Sequence, residues 1–318
     1  MTSNKIRVGV IGAGWGARTH LPAFLELPEV QVVAVCTAHQ ESAEDTARRF
    51  GVPKAYWDYR QMVRDGEIDL VSIAARVSLH HPMVMEALKA GRHILCEWPL
   101  ALNTRQAQEM LREAEAAGAV HGVGNQGRFV PALARMRDLL QDGLIGQPLS
   151  FNVTTFLPTY MHPMPSQRLW LTQNGGGGTA LSIQGGHAID ILCWCLGEVE
   201  VLSAQVDTQV KDTTFSDSHD TIEVTAPDTA SILLRMKSGA IGSANFSRVA
   251  HHGSGFRFQV YGTEGTLVAS SPAQLQYSRM TLLGGKKGEE LKEITPTETN
   301  PARRDWEGNF TFSRLAQR

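Results

Sequence analysis

The chain has 318 residues, and its 30 basic and 32 acidic side chains leave a formal net charge of −2 at neutral pH. At about 150 residues per domain this length predicts two domains, and the balanced charge argues against a nucleic-acid-binding protein, which would carry a basic excess. No apolar stretch approaches the roughly 18 residues of a membrane span, so no membrane association is expected.

The chain start and the cysteines predict a cytoplasmic protein. The first residues pass directly into an apolar strand pattern and lack the features of a secretory signal. The four cysteines are too few for a disulfide framework and form no Cys-x-x-Cys pair. Cys193 and Cys195 lie in an apolar, helix-like run, and we expect them to pack as small apolar side chains.

Strand and helix patterns alternate through residues 1–124. The predicted strands are Arg7–Ile11, Val30–Cys36, Leu70–Ala75 and His93–Cys96. The predicted helices are Ser42–Phe50, Pro82–Ala90 and Thr104–Ala117, and another helical stretch follows the first strand. This alternation predicts an α/β Rossmann domain with a doubly wound parallel sheet.

Strand patterns dominate residues 125–318. They cover Leu149–Phe156, Val199–Val206, Thr221–Val224, Ala230–Met236, Ala240–Ser247 and Phe256–Tyr261, with helices at Leu133–Leu140 and Ala180–Leu196. We expect an α+β domain with helices on one side of an open antiparallel sheet. The uncovered face predicts a homo-oligomer. Phe312 and Leu315 predict the opening turns of a helix over Asn309–Arg318, which leads us to expect further residues beyond Arg318.

A glycine-rich turn follows the first strand. Gly12, Gly14 and Ala17 match the G-x-G-x-x-G/A dinucleotide fingerprint at the strand-to-helix position where it is meaningful. Backbone amides at such a turn and at the following helix N-terminus bind phosphates. We expect the pyrophosphate to be lined by Gly12, Ala13, Gly14, Trp15 and Gly16; the alternative is a purely structural glycine turn.

The end of the second strand should border the cofactor ribose, at Thr37 and His39. An acidic residue there would bind the 2′-hydroxyl and favour NAD. Thr37 stands in that place, and no arginine adjoins it to bind a 2′-phosphate. The expected cofactor is therefore NADP or NAD, with NADP slightly favoured.

Four separated motifs together resemble the glucose–fructose oxidoreductase and inositol dehydrogenase family (Gfo/Idh/MocA). They are the fingerprint continuing to His20–Ala23, then Leu95–Leu100, Gln126–Phe129, and Gly175–Gly178 leading to His187–Asp190. The resemblance covers nearly the whole chain. It implies a Rossmann domain, a nicotinamide cofactor, and a second domain whose open antiparallel sheet mediates oligomerisation. We expect the cleft between the domains to hold the nicotinamide end of the cofactor, at the carboxyl ends of the parallel strands.

The same resemblance assigns further site residues. It implies cofactor contacts at Ala75, Arg76, His80, Glu97 and Gln126. It also implies a cis peptide bond between Trp98 and Pro99.

The chain departs from the family where the chemistry lies. Family enzymes usually carry Glu-Lys-Pro, whereas here Trp98 replaces the lysine, and Ile183 replaces an aspartate four residues before His187. His187 is retained and is the expected catalytic residue. The Glu-Trp-Pro variant is similar to a branch containing the fungal galactose-pathway repressor, which binds nicotinamide dinucleotide and acts as a transcriptional switch.

Two functions follow from these residues. The first is an oxidoreductase moving hydride between nicotinamide and a sugar-like or cyclitol alcohol. The second is a catalytically silent, cofactor-binding sensor that acts through a protein partner. Trp98, Arg128 and Trp170 are candidate substrate contacts, although packing roles or an ion pair would equally explain them. No metal site is expected, because the two adjacent His-His pairs cannot form one by themselves.

Overall fold

The computed structural model describes residues 5–276 and 279–295, which form two compact units dividing between Asn125 and Gln126. The helix predicted at Asn309–Arg318 lies outside the described residues. Neither described range contains a helix long and apolar enough to cross a membrane.

The first unit is built on a six-stranded parallel sheet in the order β3-β2-β1-β4-β5-β6. Its strands are β1 (Ile6–Ile11), β2 (Val30–Cys36), β3 (Lys54–Tyr56), β4 (Leu70–Ile73), β5 (His93–Glu97) and β6 (His121–Gly124). A π-helical turn, Gly16–His20, leads into the first of the helices α1 (Leu21–Leu25), α2 (Gln40–Phe50), α3 (Tyr59–Val63), α4 (Val77–Lys89) and α5 (Thr104–Ala116). The predicted Rossmann fold is confirmed.

Helix α4 begins at Val77, so the prediction that it begins at Pro82 was wrong. A proline at the first helical position is a common start signal. Here the buried face extends further back through Val77 and His80 to Met83 and Val84. Packing of that face outweighs the backbone hydrogen bond that Pro82 cannot donate.

The second unit contains an eight-stranded sheet in the order β16-β15-β14-β13-β7-β12-β11-β8, and a separate β9–β10 hairpin. Its strands are β7 (Pro148–Phe156), β8 (Val199–Asp207), β9 (Asp212–Thr214), β10 (Thr221–Glu223), β11 (Thr229–Met236), β12 (Ile241–Ser247), β13 (Gly255–Gly262), β14 (Gly265–Ser271), β15 (Thr281–Lys286) and β16 (Lys292–Glu293). The sheet is not purely antiparallel as predicted, because β7 pairs with β12 in parallel.

Two α-helices, α6 (Pro131–Gln141) and α7 (Gly186–Leu196), share one core with the sheet. The predicted helix Ala180–Leu196 divides into a π-helical segment, Ala180–Gly185, and α7. Along β11 buried residues alternate with exposed ones, so one face of the sheet packs and the other is open. Short 3₁₀ turns occur at Gln126–Phe129, Ser166–Leu171 and Asn174–Gly176.

Cys195 packs against the apolar core of the second unit, as predicted, and Cys193 is half-buried. Cys36 and Cys96 are 2% and 1% exposed, and the four cysteines form no disulfide. Burial raises the pKa of Cys36 and of Cys195 to about 12, so neither is a thiolate at neutral pH.

Candidate cofactor and substrate site

The fingerprint turn has the geometry that its glycines predict. Gly12 has a φ of +113°, and a Cβ there would lie 2.4 Å from the Ala74 carbonyl oxygen. A Cβ on Gly14 would meet no protein atom within 4 Å. Gly12 is therefore required by the fold, whereas Gly14 presents bare backbone outward, as an approaching phosphate group needs.

Gly16 lets the turn approach the sheet closely. A Cβ on it would lie 3.3 Å from Val10 and 3.4 Å from the Ala74 Cβ. Ala17, the third fingerprint position, is buried in the core on that side of the sheet. Because Gly16 and Ala17 are small, the π-helical turn packs closely against β1 and the end of β4.

A buried polar network lies behind this turn. His20 Nε2 is 2.8 Å from Glu97 Oε1, and His20 Nδ1 is 2.6 Å from Ser72 Oγ. The indole Nε1 of Trp15 donates to the same Glu97 oxygen at 3.1 Å. The backbone N–H of Trp98 donates to the other oxygen, Oε2, at 3.2 Å.

The serine, histidine and glutamate of this network lie at the distances of a hydrolase triad, but the imidazole nitrogens are exchanged, since Nδ1 faces Ser72 and Nε2 faces Glu97. Ser72 and His20 are each 0% exposed, so no substrate can reach the hydroxyl. The network is therefore structural. Sequence reasoning missed Ser72, because one serine in an apolar strand carries no signal of its partner.

Thr37 and His39 lie just past the carboxyl end of β2, as predicted. The Thr37 hydroxyl donates to the His39 carbonyl oxygen at 2.8 Å and lies 2.6 Å from Ser42 Oγ. Asp58, the N-cap of α3, is close enough to contribute to the raised pKa of Cys36. Thr37 itself brings no charge to this end of the site.

His80 joins the loops that follow β4 and β5. Its Nδ1 lies 2.9 Å from the Pro99 carbonyl oxygen and its Nε2 lies 3.0 Å from that of Ala75, next to Arg76. Burial lowers the pKa of His80, although both carbonyl oxygens oppose this shift. The predicted cis peptide bond between Trp98 and Pro99 is present.

His187 lies in the second unit, in the first turn of α7, and is 5% exposed. The π-helical segment before it is capped by Thr179, whose hydroxyl accepts from the Ser182 N–H. Single π-helical turns occur often at functional sites. Ile183, half-buried in that segment, offers no titratable group.

A buried arginine that sequence reasoning missed joins three segments before α7. Arg248, 2% exposed, donates through Nε to Gln184 Oε1 at 2.9 Å and through Nη1 to the Gly178 carbonyl oxygen at 2.6 Å. The same Nη1 donates to the Tyr160 hydroxyl at 3.0 Å. Its position after a strand gave no sign of these distant partners.

Trp170 packs against the four-glycine run. A Cβ on Gly176 would lie 1.9 Å from the Trp170 carbonyl oxygen, and one on Gly178 would lie 2.5 Å from the indole ring. Gly176 and Gly178 are therefore needed for packing against Trp170, which is itself half-buried.

Arg128 and Gln126 lie in the 3₁₀ turn that opens the second unit. The Arg128 guanidinium binds both carboxylate oxygens of Asp190, with Nε at 2.8 Å from Oδ2. Gln126 is 2% exposed. Arg128 therefore forms an ion pair, which was the alternative to a substrate contact at this position.

The structure therefore gathers the predicted residues into two groups, one in each unit. The first group is at the carboxyl ends of the parallel strands: Gly12, Ala13, Gly14, Trp15, Gly16, Thr37, His39, Ala75, Arg76, His80, Glu97 and Trp98. The second comprises Gln126, Arg128, Trp170 and His187. Among the described residues, no group of three or more His, Cys, Asp or Glu side chains could hold a metal ion.

Comparison with known proteins identifies the family. Residues 6–125 match the oxidoreductase family with an NAD-binding Rossmann fold, GFO_IDH_MocA, and residues 133–268 match the GFO/IDH/MocA C-terminal domain. The chain belongs to the Gfo/Idh/MocA family.

The relatives of this chain include two dehydrogenases that are named for their substrates. A levoglucosan dehydrogenase of Pseudarthrobacter phenanthrenivorans is 30% identical over 83% of this chain and 73% of its own length. A myo-inositol 2-dehydrogenase of Thermotoga maritima is 27% identical over 84% of this chain and 75% of its own.

Two solved structures superpose on nearly the whole chain. A levoglucosan dehydrogenase in complex with NADH and levoglucosan has a TM-score of 0.85 and 25% identity, over 98% of this chain and 88% of that one. A super-repressor mutant of Gal80p from Saccharomyces cerevisiae has a TM-score of 0.86 at 23% identity, over 98% and 85%, and shows the shared fold.

Proposed function

We propose that this chain is an NAD(P)-dependent oxidoreductase that transfers hydride between nicotinamide and a secondary alcohol or ketone of a sugar-like or cyclitol substrate. The observation that carries the proposal is the fingerprint turn of a Gfo/Idh/MocA chain, where bare backbone at Gly14 is presented outward. That shape suits a dinucleotide and has no packing purpose within the described protein.

The residues present fit such a cofactor. The backbone of Gly12–Gly16 would bind the pyrophosphate, with Thr37 and His39 beside the ribose. Ala75, Arg76, His80 and Gln126 would border the remainder. A bound nicotinamide would supply the acceptor or donor of the hydride.

His187 is the residue proposed to hold the substrate hydroxyl proton. An imidazole can accept and return a proton near neutral pH. Trp98 offers an indole that only donates, and Ile183 offers no proton-transfer group. Trp98 and Trp170 would instead present flat apolar faces to a sugar ring.

The substrate class is supported by the two named relatives, which act on levoglucosan and on myo-inositol. Both compounds carry several secondary hydroxyl groups. Arg128, paired with Asp190, would add a polar rim in which each partner keeps the other oriented.

The test is nicotinamide absorbance during incubation with NAD or NADP and a panel of sugars, anhydrosugars, cyclitols and their keto forms. We expect a substrate-dependent signal that H187A lowers by at least about tenfold, because loss of a general base typically costs about 10²–10⁴ in rate. H251A removes an exposed histidine of the same unit and is the matched control. Equal rates in H187A and the wild type would contradict the role of His187.

A cofactor-loaded sensor is the second candidate, because Trp98 and Ile183 stand where the family has lysine and aspartate. It predicts dinucleotide binding without turnover on the whole panel, together with a specific protein partner that binds only the loaded form. Turnover of any panel member would exclude a silent sensor.

A further inference from the structure

We propose that Glu97 is a positioning residue for dinucleotide binding: its carboxylate fixes the Trp15 indole, and with it the fingerprint turn, without itself touching the dinucleotide. This inference rests on the proposed cofactor binding. It changes the role that the family resemblance implied for Glu97, from a cofactor contact to a support behind the turn.

The Glu97 carboxylate is already engaged by the protein. It is 6% exposed and faces three nitrogens, from Trp15, His20 and the Trp98 backbone. An ionised carboxylate only accepts hydrogen bonds. Three such contacts on a buried group leave little surface for a ligand.

The backbone around Glu97 is shaped to admit this carboxylate. Glu97 pairs with Gly124 across β5 and β6, and a Cβ on Gly124 would lie 2.9 Å from the carboxylate carbon. Only a glycine leaves that space. The strand end is therefore built to hold the side chain inward, beneath the turn.

Trp15 carries the effect to the cofactor loop. It directly follows Gly14 and precedes the π-helical turn, in which the Arg18 N–H donates to the Gly14 carbonyl oxygen at 3.3 Å. The Arg18 guanidinium also lies 5.9 Å from the centre of the Trp15 ring. An indole held at its N–H edge thus limits the rotation of the peptide units that would meet the phosphates.

His20 ties the same carboxylate to the sheet. It bridges Glu97 and Ser72 of β4, and all three are buried. Fixed groups bind a ligand more tightly because less freedom is lost on binding. Loosening the Glu97–Trp15 contact should therefore weaken dinucleotide binding while the sheet stays folded.

The experiment is a double-mutant cycle read by calorimetric titration with NADH and NADPH. W15F removes the indole N–H and keeps an aromatic ring. E97Q leaves one oxygen where the carboxylate had two, so at least one donor loses its acceptor. We expect each variant to weaken binding by about tenfold, and the double variant to be no weaker than the weaker single one, as coupled residues require.

Two controls separate positioning from general damage. W57F removes a half-exposed tryptophan of the same unit and should leave affinity unchanged. In NMR spectra without cofactor, the indole N–H signal missing from W15F should shift in E97Q, whereas the signals of Trp57, Trp170 and Trp194, which have no contact with Glu97 among the hydrogen bonds described above, should stay in place.

The outcomes are distinct. Wild-type affinity in both single variants, or losses that multiply in the double variant, would overturn the role of Glu97 and leave the proposed function intact. A wild-type protein that binds neither NADH nor NADPH at millimolar concentration would overturn both.

Discussion

At the residue scale, Thr37 is the residue that we propose to set the cofactor preference, because it stands where an acidic residue would favour NAD. Its hydroxyl bonds the His39 carbonyl oxygen and lies within hydrogen-bond distance of Ser42 Oγ, and the side chain carries no charge. We expect the wild type to bind NADPH at least as well as NADH.

The T37D variant tests this preference. A carboxylate at that position repels a 2′-phosphate and accepts from a 2′-hydroxyl. We expect T37D to lower NADPH affinity by about tenfold, or 1.4 kcal/mol, and to keep NADH affinity. T37V removes the hydroxyl without adding charge and is the control. Tenfold tighter NADH binding by the wild type would refute the preference.

At the element scale, the glycine run before α7 shows why packing requires some glycines and not others. A Cβ on Gly176 would collide with the Trp170 carbonyl oxygen, whereas one on Gly175 would meet no atom within 4 Å. Both glycines belong to one 3₁₀ turn. They form a matched pair that differs in whether the surroundings leave room for a Cβ atom.

We expect G176A to lower the free energy of unfolding by about 1–3 kcal/mol, the usual cost of overpacking. G175A should change it by less than about 0.5 kcal/mol, as surface substitutions do. Thermal unfolding of both variants measures the difference. Equal midpoints would show that the run is held loosely against Trp170.

Sequence patterns predicted the elements that have long, regular apolar periods. Strand Val30–Cys36 was placed with its observed bounds, and α5 was predicted to within one residue. Strands β14 and β15 were not predicted, because Gly284, Gly285 and paired serines interrupt their pattern. The parallel pairing of β7 with β12 joins strands that are far apart in the sequence, and no local sequence pattern indicates such a pairing.

The candidate site was predictable where a residue type has one strong reason to be there. Gly12 and Gly14 belong to that kind, since both have the geometry that the fingerprint predicts, whereas the role of His187 stays a prediction. His20, Ser72 and Arg248 act through partners at least 50 residues away, at separations of 52 and 64 for two of the contacts. Such buried networks are visible only once distances are known.

At the scale of the whole molecule, the open face of the large sheet is the proposed contact between copies of the chain. Leu233 on β11 is 67% exposed and Ile241 on β12 is 52% exposed, and Val201 on β8 is 56% exposed. Apolar side chains grouped on one face favour association.

We expect light scattering to show a dimer or larger assembly at micromolar concentration. L233E should convert it to monomer with little loss of stability, because Leu233 is mostly exposed. K287E, on an exposed turn, is the control. A wild type that is monomeric at those concentrations would refute this interface.

The position of β7 has a consequence for the order of synthesis and folding. Both of its neighbours, β12 and β13, are far downstream; Asn152 of β7 bonds Ser243 of β12 across 91 residues. On the ribosome, the first unit can complete its sheet while β7 still has no neighbour. Long-range pairing is slow and leaves apolar edges exposed meanwhile. Pulse-labelled amides should therefore gain protection in β1–β6 before β7, and the nascent second unit should be the main client of chaperones.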